Sequence, residues 1–499
     1  MVKLLVGSSL VGILLVLLGV NRGFDLSDEG LYVLLADPVQ DNVAGVFNYD
    51  LFFKLFYKIF GHAFSLFELR LIRLLSYFAG AWALAEFWKY LKAESRLRPE
   101  IFFLALLGLL AGYAFLPPTL SYNSLTVVLV CFWLRSVSQR VQGYDTNLCL
   151  GLIVALFIYV KVSFALLIGP MTFVFVWKKG TFRDMLIAFV PLVLTELIFL
   201  AVLGENASLR LTEGIPQNSL RPGYQFGQML KSIAVGALWM LISAVLFYFV
   251  GYLKKAERDH NKMLSVLAVL TISGIVYITH ITEEWNHTLM VFTAGFLGFC
   301  FGASKRPPEI NISWILLLLI LPFIIHFGSN VYWLRIGIHY WIFWVLAFLL
   351  CFENLKRETS ILVSGLSLLL VFNGLWWHPF GQERPLWTAK YPWSLKGKGT
   401  VQLDGELIES LSKLEQALEM DTSKSILAIY RNPGIVWLIG RQVPRSPGIW
   451  DKRQLEDGVM DKPEKIIFND VQTLPAAWKF RYRMDLGVFQ GDSLSLLWD

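Results

Sequence analysis

The sequence predicts an all-α polytopic membrane protein that carries a small soluble α/β domain at its C-terminus. Three observations lead there. The 499 residues are 56% hydrophobic and only 16% charged, whereas an average soluble chain is about a quarter charged. The apolar residues gather into runs that approach the ~20 residues a helix needs to cross a hydrocarbon core. A backbone in lipid must satisfy its own hydrogen bonds, which makes those runs helices. The alternating pattern of a membrane β-barrel is absent, and beyond His378 the composition turns polar.

Taken in order, the runs are Leu4–Val20, Leu69–Trp88, Ile101–Leu116, Tyr122–Val137, Leu148–Val160, Val162–Trp177, Met185–Leu203, Gln228–Leu253, Met263–Thr279, Thr288–Phe301, Ile312–Phe327, Ile336–Phe352 and Ile361–Trp377. That is about thirteen spans. The first follows Lys3 in the manner of a signal peptide, but no small-residue cleavage site comes after it, so it reads as a retained helix. The fifth and sixth are too short to cross singly and read as a pair of half-helices meeting at Lys161. The four cysteines (Cys131, Cys149, Cys300 and Cys351) fall within or beside apolar runs. They show neither a disulfide framework nor metal-ligand spacing.

The connections alternate in charge. Lys3, Lys89 to Arg98, Arg135 and Arg140, Lys178 to Arg183, Lys254 to Lys262, Lys305 with Arg306, and Lys356 with Arg357 form one basic set. By the positive-inside rule this set is cytoplasmic, so the N-terminus lies inside and the tail outside. Residues 1–377 then form the membrane domain, 21–68 its first outer loop, and 378–499 an extracytoplasmic domain. Within the loop, NYDLFFKLFYKIFG is amphipathic and suits a membrane surface. Within the tail, SILAIY and KIIF read as strands and Leu407–Met420 as a helix.

Several polar groups stand out against this background. Asp25, Asp28 and Glu29 follow the outer end of the first helix, where carboxylates serve as general bases or as metal ligands in a watery cavity. The ordinary alternative is a solvated loop. His280, Glu283, Glu284 and His287 combine imidazole with carboxylate, which suits a divalent metal or simply a polar turn. Lys161 lies between apolar runs, and a buried ammonium needs an anionic partner, for which a lipid phosphate would serve. Snorkelling to the interface is the bland reading. Glu196 is a candidate partner for it. Arg210, Arg221 and Arg335 are further outer cations able to meet a phosphate.

The DEGLY stretch, with Asp28-Glu29 followed by Tyr32, resembles the acidic pair and downstream tyrosine of the GT-C glycosyltransferases, of the protein O-mannosyltransferase and lipid-A aminoarabinose transferase type. LFYKIFGHAFSLFELRLIRLLSYFAG is similar to the family's surface helix and the Arg-Leu helix start after it, with Arg73-Leu74 as the match. YVKVSFALLIGP resembles its paired half-helices around a lysine, here Lys161, and NPGIVWLIGRQVP resembles a segment of its outer domains. The sequence departs from the family where an acidic-Lys-Pro motif is expected, since it has Tyr49-Asp50-Leu51 instead.

The resemblance implies an enzyme of the bacterial inner membrane that moves a sugar from a polyprenyl-phosphate donor to a hydroxyl of a lipid, glycan or protein acceptor, with inversion. Asp28, with Glu29 beside it, would act as base. Lys161, Arg221, Asp50 and Tyr32 would bind donor phosphate or acceptor. The family leaves a divalent ion open, Mg or Mn, for which Asp50, Glu284 and His287 are the candidate ligands. Two other function classes fit the composition. A flippase or transporter of lipid-linked glycans would show repeats in hydropathy, and none is found. A glycan ligase or polymerase would rely on outer arginines such as Arg210 and Arg221. Nothing in the chain suggests a nucleic-acid partner.

Overall fold

A computed structural model describes residues 1–139, 143–219, 221–255, 261–279, 286–303, 312–351, 357–419, 425–456, 461–489 and 491–499. The fold is mostly helical, with a small sheet region near the C-terminus. Among the described residues, eight helices are long and apolar enough to cross a membrane: Val2–Gly19, Val162–Lys179, Phe182–Leu203, Phe226–Lys255, Lys262–Thr279, Asn286–Ala303, Trp333–Cys351 and Arg357–Trp377. Three shorter apolar helices accompany them, Pro99–Ala114, Tyr144–Val160 and Ile312–His326. The remaining two expected spans are helical as well. One, Leu66–Lys92, carries Glu68, Arg70, Arg73 and Glu86, and the other, Tyr122–Ser138, stops after 17 residues.

The chain packs as two compact units. The first comprises Met1–Gly12, Arg96–Phe115 and Gly223–Val371. Glycines set its closest helix contact. A Cβ at Gly298 would lie 1.9 Å from the Ala244 carbonyl oxygen, and one at Gly302 2.0 Å from that of Tyr248. The Phe226–Lys255 and Asn286–Ala303 helices therefore touch backbone to backbone, the usual device where lipid offers no hydrophobic drive between helices. Buried Trp333 stacks on Phe323 at 4.4 Å nearby.

The second unit comprises Ile13–Ser95, Leu116–Pro222 and Phe372–Asp499. Packing thus groups the polar tail with the first loop, whereas the sequence reading divides the chain at residue 377. Four helices open the chain: α1 (Val2–Gly19), α2 (Asp28–Ala36), α3 (Asp50–Phe60) and α4 (Leu66–Lys92). Ser65 and Glu68 form a capping box that starts α4. In α3, Asp50 and Leu51 are buried while Tyr57, Ile59 and Phe60 are exposed, which is the amphipathic pattern read from the sequence. Further on, a Cβ at Gly151 would meet the Ala188 carbonyl oxygen at 1.8 Å, so the Tyr144–Val160 and Phe182–Leu203 helices also pack backbone to backbone. Lys161 interrupts the helix at the expected place, with φ −153° and ψ 86°. The arms are longer than expected, 17 and 18 residues, and the second, Val162–Lys179, is long enough to cross on its own.

The tail adds an antiparallel hairpin, β1 (Tyr391–Ser394) with β2 (Thr400–Leu403), and a four-stranded sheet. The sheet's strands are β3 (Leu427–Ile429), β4 (Lys465–Asn469), β5 (Tyr482–Phe489) and β6 (Asp492–Trp498), in the order β3-β4-β6-β5. Only β3 and β4 are parallel. The helix Gly405–Ala417, capped by Asp404, turns Leu407, Leu411 and Leu414 inward. The two strand segments and the helix read from sequence are therefore present, although Met420 lies outside the described residues. Phe24, Leu26, Val33, Leu34, Leu66 and Leu69 share one core with Leu407, Ile435, Trp437, Ile467 and Leu496. The Gln402 N–H donates to the Asn21 carbonyl and the Gly23 N–H to the Gln402 carbonyl, both at 2.8 Å. The chain leaving α1 so extends the hairpin.

Candidate functional site around Asp28

The three loop carboxylates have different fates. Asp25 is fully buried, and its side chain accepts from the Ser27 N–H at 3.1 Å and the Glu29 N–H at 3.0 Å, which caps the first turn of α2. Glu29 is fully buried as well. Its oxygens take a bidentate pair of bonds from Arg70, both at 2.9 Å, a bond from Thr119, and one from the Asp25 N–H. Arg70 spends its other protons on the carbonyls of Val20, Arg22 and Gly23. Glu29 thus ties α2 and α4 to the end of α1, and the guanidinium that holds it lies one helical turn before Arg73. Arg73 instead donates to the Pro117 carbonyl and to the Tyr77 hydroxyl.

Asp28 differs from both. It begins α2, it is half-buried, and no described residue hydrogen-bonds or ion-pairs with its carboxylate. Burial lifts its pKa to about 6, against the opposing pull of the Arg221 and Arg431 charges. Asp25 is pushed well above the usual carboxylate range by burial and by the neighbouring Asp28 charge. Of the three acids, only Asp28 keeps its lone pairs for a ligand.

Aromatic rings join Asp28 to Lys161. Tyr32 lies one turn along α2 and meets Tyr122 edge-on at 6.2 Å. Tyr122 stacks on Phe47 at 4.0 Å, and the Lys161 ammonium lies 5.8 Å from the Tyr122 ring centre. Lys161 is buried, and its contact with the ring face is a cation–π interaction. The phenols of Tyr32 and Tyr49 are held well above their ordinary pKa, first by burial and then by carboxylate charge, so both stay protonated donors. Arg221 lies 5.7 Å from the Trp450 ring centre. Trp450 itself packs against the cluster of Leu31, Tyr32, Leu35 and Tyr49.

The tail docks on this region through close backbone packing. A Cβ at Gly30 would lie 2.4 Å from the Gly434 Cα, and the Gly434 N–H donates to the Leu26 carbonyl at 2.9 Å. Phe24 stacks on Trp437 at 5.6 Å. Arg431, in the left-handed region at φ 62°, is pinned through its N–H to the Ile449 carbonyl. Sequence reasoning did not single out Arg431 or Trp450. The one signal was the NPGIVWLIGRQVP stretch, whose Pro-Gly makes the close approach.

Of the candidate metal ligands, the structure describes Asp50 and His287. Asp50 is fully buried and accepts from Arg210 at 2.8 and 2.6 Å and from Lys54 at 3.1 Å. Its pKa is raised by burial, against the opposing charges of Arg210 and Lys54. Two cations therefore already occupy its oxygens. His287 belongs to the first unit, where its ring meets the Val276 carbonyl at 3.2 Å. Glu284, with His280 and Glu283, lies outside the described residues. Among the described residues no group of three His, Cys, Asp or Glu is placed to hold a metal ion. Arg210 extends the Asp50 network to Glu205 and Arg445, beside a cavity of about 330 Å³ lined also by Val43 and Glu213. Glu196 accepts from the Ser208 N–H at 3.2 Å.

Searches against protein-family models, curated proteins and solved structures find no match to this chain.

Proposed function

We propose that the chain is a membrane glycosyltransferase that takes a sugar from a polyprenyl-phosphate donor and passes it, with inversion, to an acceptor hydroxyl. The observation that carries this reading is Asp28, a carboxylate of raised pKa with no partner among the described residues, one turn of α2 from Tyr32, whose ring meets Tyr122 beside the buried Lys161. The resemblance of DEGLY and YVKVSFALLIGP to the GT-C pattern supports it independently.

In this mechanism the acceptor oxygen attacks the anomeric carbon as its proton passes to Asp28, and the bond from that carbon to the phosphate oxygen breaks. The electron pair leaves with the polyprenyl phosphate. Lys161 and Arg221, with Arg431 near Asp28, offset the charge that collects on the leaving group, the electrostatic role that usually contributes most in such transfers. Tyr32 donates a hydrogen bond beside the base. Glu29 acts as a strut through Arg70, and Asp50 acts through the Arg210–Lys54 network. Neither residue needs to touch substrate. The reading places the N-terminus inside, about thirteen spans in the membrane, and both the first loop and the tail on the outer face.

The deciding experiment incubates purified protein with a radiolabelled polyprenyl-phosphate sugar and follows release of free polyprenyl phosphate. Asp28→Asn is expected to lose about 100-fold or more in turnover while still binding donor. Full transfer by the Asn protein would remove the assignment. A flippase working through the same cations would move lipid across vesicles without cleaving it and would be indifferent to this substitution.

A further inference from the structure

Hydrogen-bonding capacity is left over around Asp28. Asn48 and Asn432 are fully buried, and in each the side-chain amide nitrogen and oxygen have no partner among the described residues. The buried Tyr49 hydroxyl has none either. Unpaired buried polar atoms are costly, and native interiors hold few of them.

Unpaired buried polar atoms also occur elsewhere in the molecule, such as the amide atoms of Asn286, but these three residues fall on two segments beside Asp28. The Asn48 N–H donates to the Tyr159 carbonyl at 2.8 Å, two residues before Lys161. Its neighbours are Phe47, stacked on Tyr122, and Tyr49, whose phenol is in the field of the Asp28 charge. Asn432 precedes Pro433-Gly434, and Gly434 is clamped against Leu26 and Gly30. Asp28 lies in the middle of that clamped stretch. One segment of the first loop and one segment of the tail therefore bring five unpaired atoms to the neighbourhood of the proposed base.

The mix of donors and acceptors selects the ligand. A carboxamide presents N–H donors and a carbonyl acceptor, while a phenol both donates and accepts. A phosphate oxygen only accepts, so it would leave both amide carbonyls unsatisfied, and a prenyl chain offers nothing. A sugar hydroxyl both gives and takes a hydrogen bond, and two neighbouring hydroxyls match the two atoms of one carboxamide. We propose that Asn48, Tyr49 and Asn432 form a subsite that reads the hydroxyl groups of the transferred glycosyl unit, with the C-terminal segment supplying one wall of the site. This rests on the transfer reading above.

The test measures binding to the full-length protein in detergent, with undecaprenyl phosphate and with the same lipid phosphate bearing glucose, mannose, galactose or arabinose. The expected result is that one sugar-bearing lipid binds wild-type protein at least tenfold more tightly than undecaprenyl phosphate. Asn48→Ala and Asn432→Ala should each erase about tenfold of that increment, and Tyr49→Phe, which removes a single hydroxyl, several-fold. All three variants should keep the wild-type affinity for undecaprenyl phosphate, which also shows that they are folded. If the variants retain the full sugar increment, the leftover atoms hold water and the subsite is overturned while the transfer reading stands. The subsite also falls if wild-type protein binds bare and sugar-bearing lipids alike. If wild-type protein binds no lipid phosphate at all, the transfer reading fails and takes the subsite with it.

Discussion

Asp28 and Glu29 are adjacent in sequence and opposite in circumstance, and the difference predicts different phenotypes. On the transfer reading, Asp28 must be ionised to accept a proton. With its pKa lifted to about 6, the carboxylate form is lost as pH falls through that value. The expected kcat/KM profile is flat above pH 7 and drops about tenfold per unit below 6, and Asp28→Asn should abolish this acidic limb along with the activity. Glu29→Gln should act on the fold instead. It breaks a buried bidentate pair and leaves Arg70 partly unpaired, which typically costs ~3–5 kcal/mol. The check is a thermal-unfolding scan, in which Glu29→Gln melts lower whatever substrate is present. The resemblance named Asp28 as base, but the sequence could not show that Glu29 is engaged, because that is decided by Arg70 and Thr119, about 40 and 90 positions away. The resemblance marked Arg73, whereas the residue that holds Glu29 is Arg70. Residues three apart share a helix face, so spacing alone could not choose between them.

Elements were legible from the sequence in proportion to how much of their information is local. Long apolar helices announce themselves by length, and the break at Lys161 by a charge among apolar residues. Short strands do not. β5 and β6 went unread, and β6 lacks alternation because its central residues Leu494 to Leu497 are all buried. The docking of α2 on the tail is the least local feature, since it depends on Gly30 and Gly434 meeting without side chains. Gly30→Ala is expected to force that contact apart, because the new Cβ would lie 2.4 Å from the Gly434 Cα. Even if α2 stays helical, Arg431 should retreat from Asp28. The measurement is protease sensitivity of the 425–456 segment together with the sugar-dependent part of lipid binding, and both should change in Gly30→Ala. An exposed control such as Gly227→Ala, with open space around it, should alter neither.

For the whole molecule, the shared core of first loop and tail constrains topology more strongly than loop charges do. Phe24 and Leu26 are buried with Ile467 and Leu496, so residues 21–37 and the tail must lie on the same side of the membrane. Cysteines introduced at the exposed positions Val39 and Lys479, in a chain whose four native thiols are replaced, should react with a membrane-impermeant maleimide from the same side. On the transfer reading that side is the outer one. Labelling from opposite sides would be incompatible with the shared core. The sequence read the tail as a separate domain because composition changes near residue 378. Packing follows buried surface rather than composition, and the apolar side of α2 shares one core with Leu407, Leu411 and Leu414 of the Gly405–Ala417 helix.

The pairing of Gly23 with Gln402, and of Gln40 with Arg441 across 401 positions of chain, has a consequence for biogenesis. The ribosome finishes the first loop early and the strands that complete it last. At about 5–20 residues per second the interval is ~20–80 s. Throughout it, the apolar side of α2 waits without its partner. A nascent chain interrupted anywhere before the final strands would be inserted, helical and inert. Assembly of the Asp28 region is thus gated by completion of the chain's own synthesis, and a chaperone that shields the early loop would have that interval in which to act.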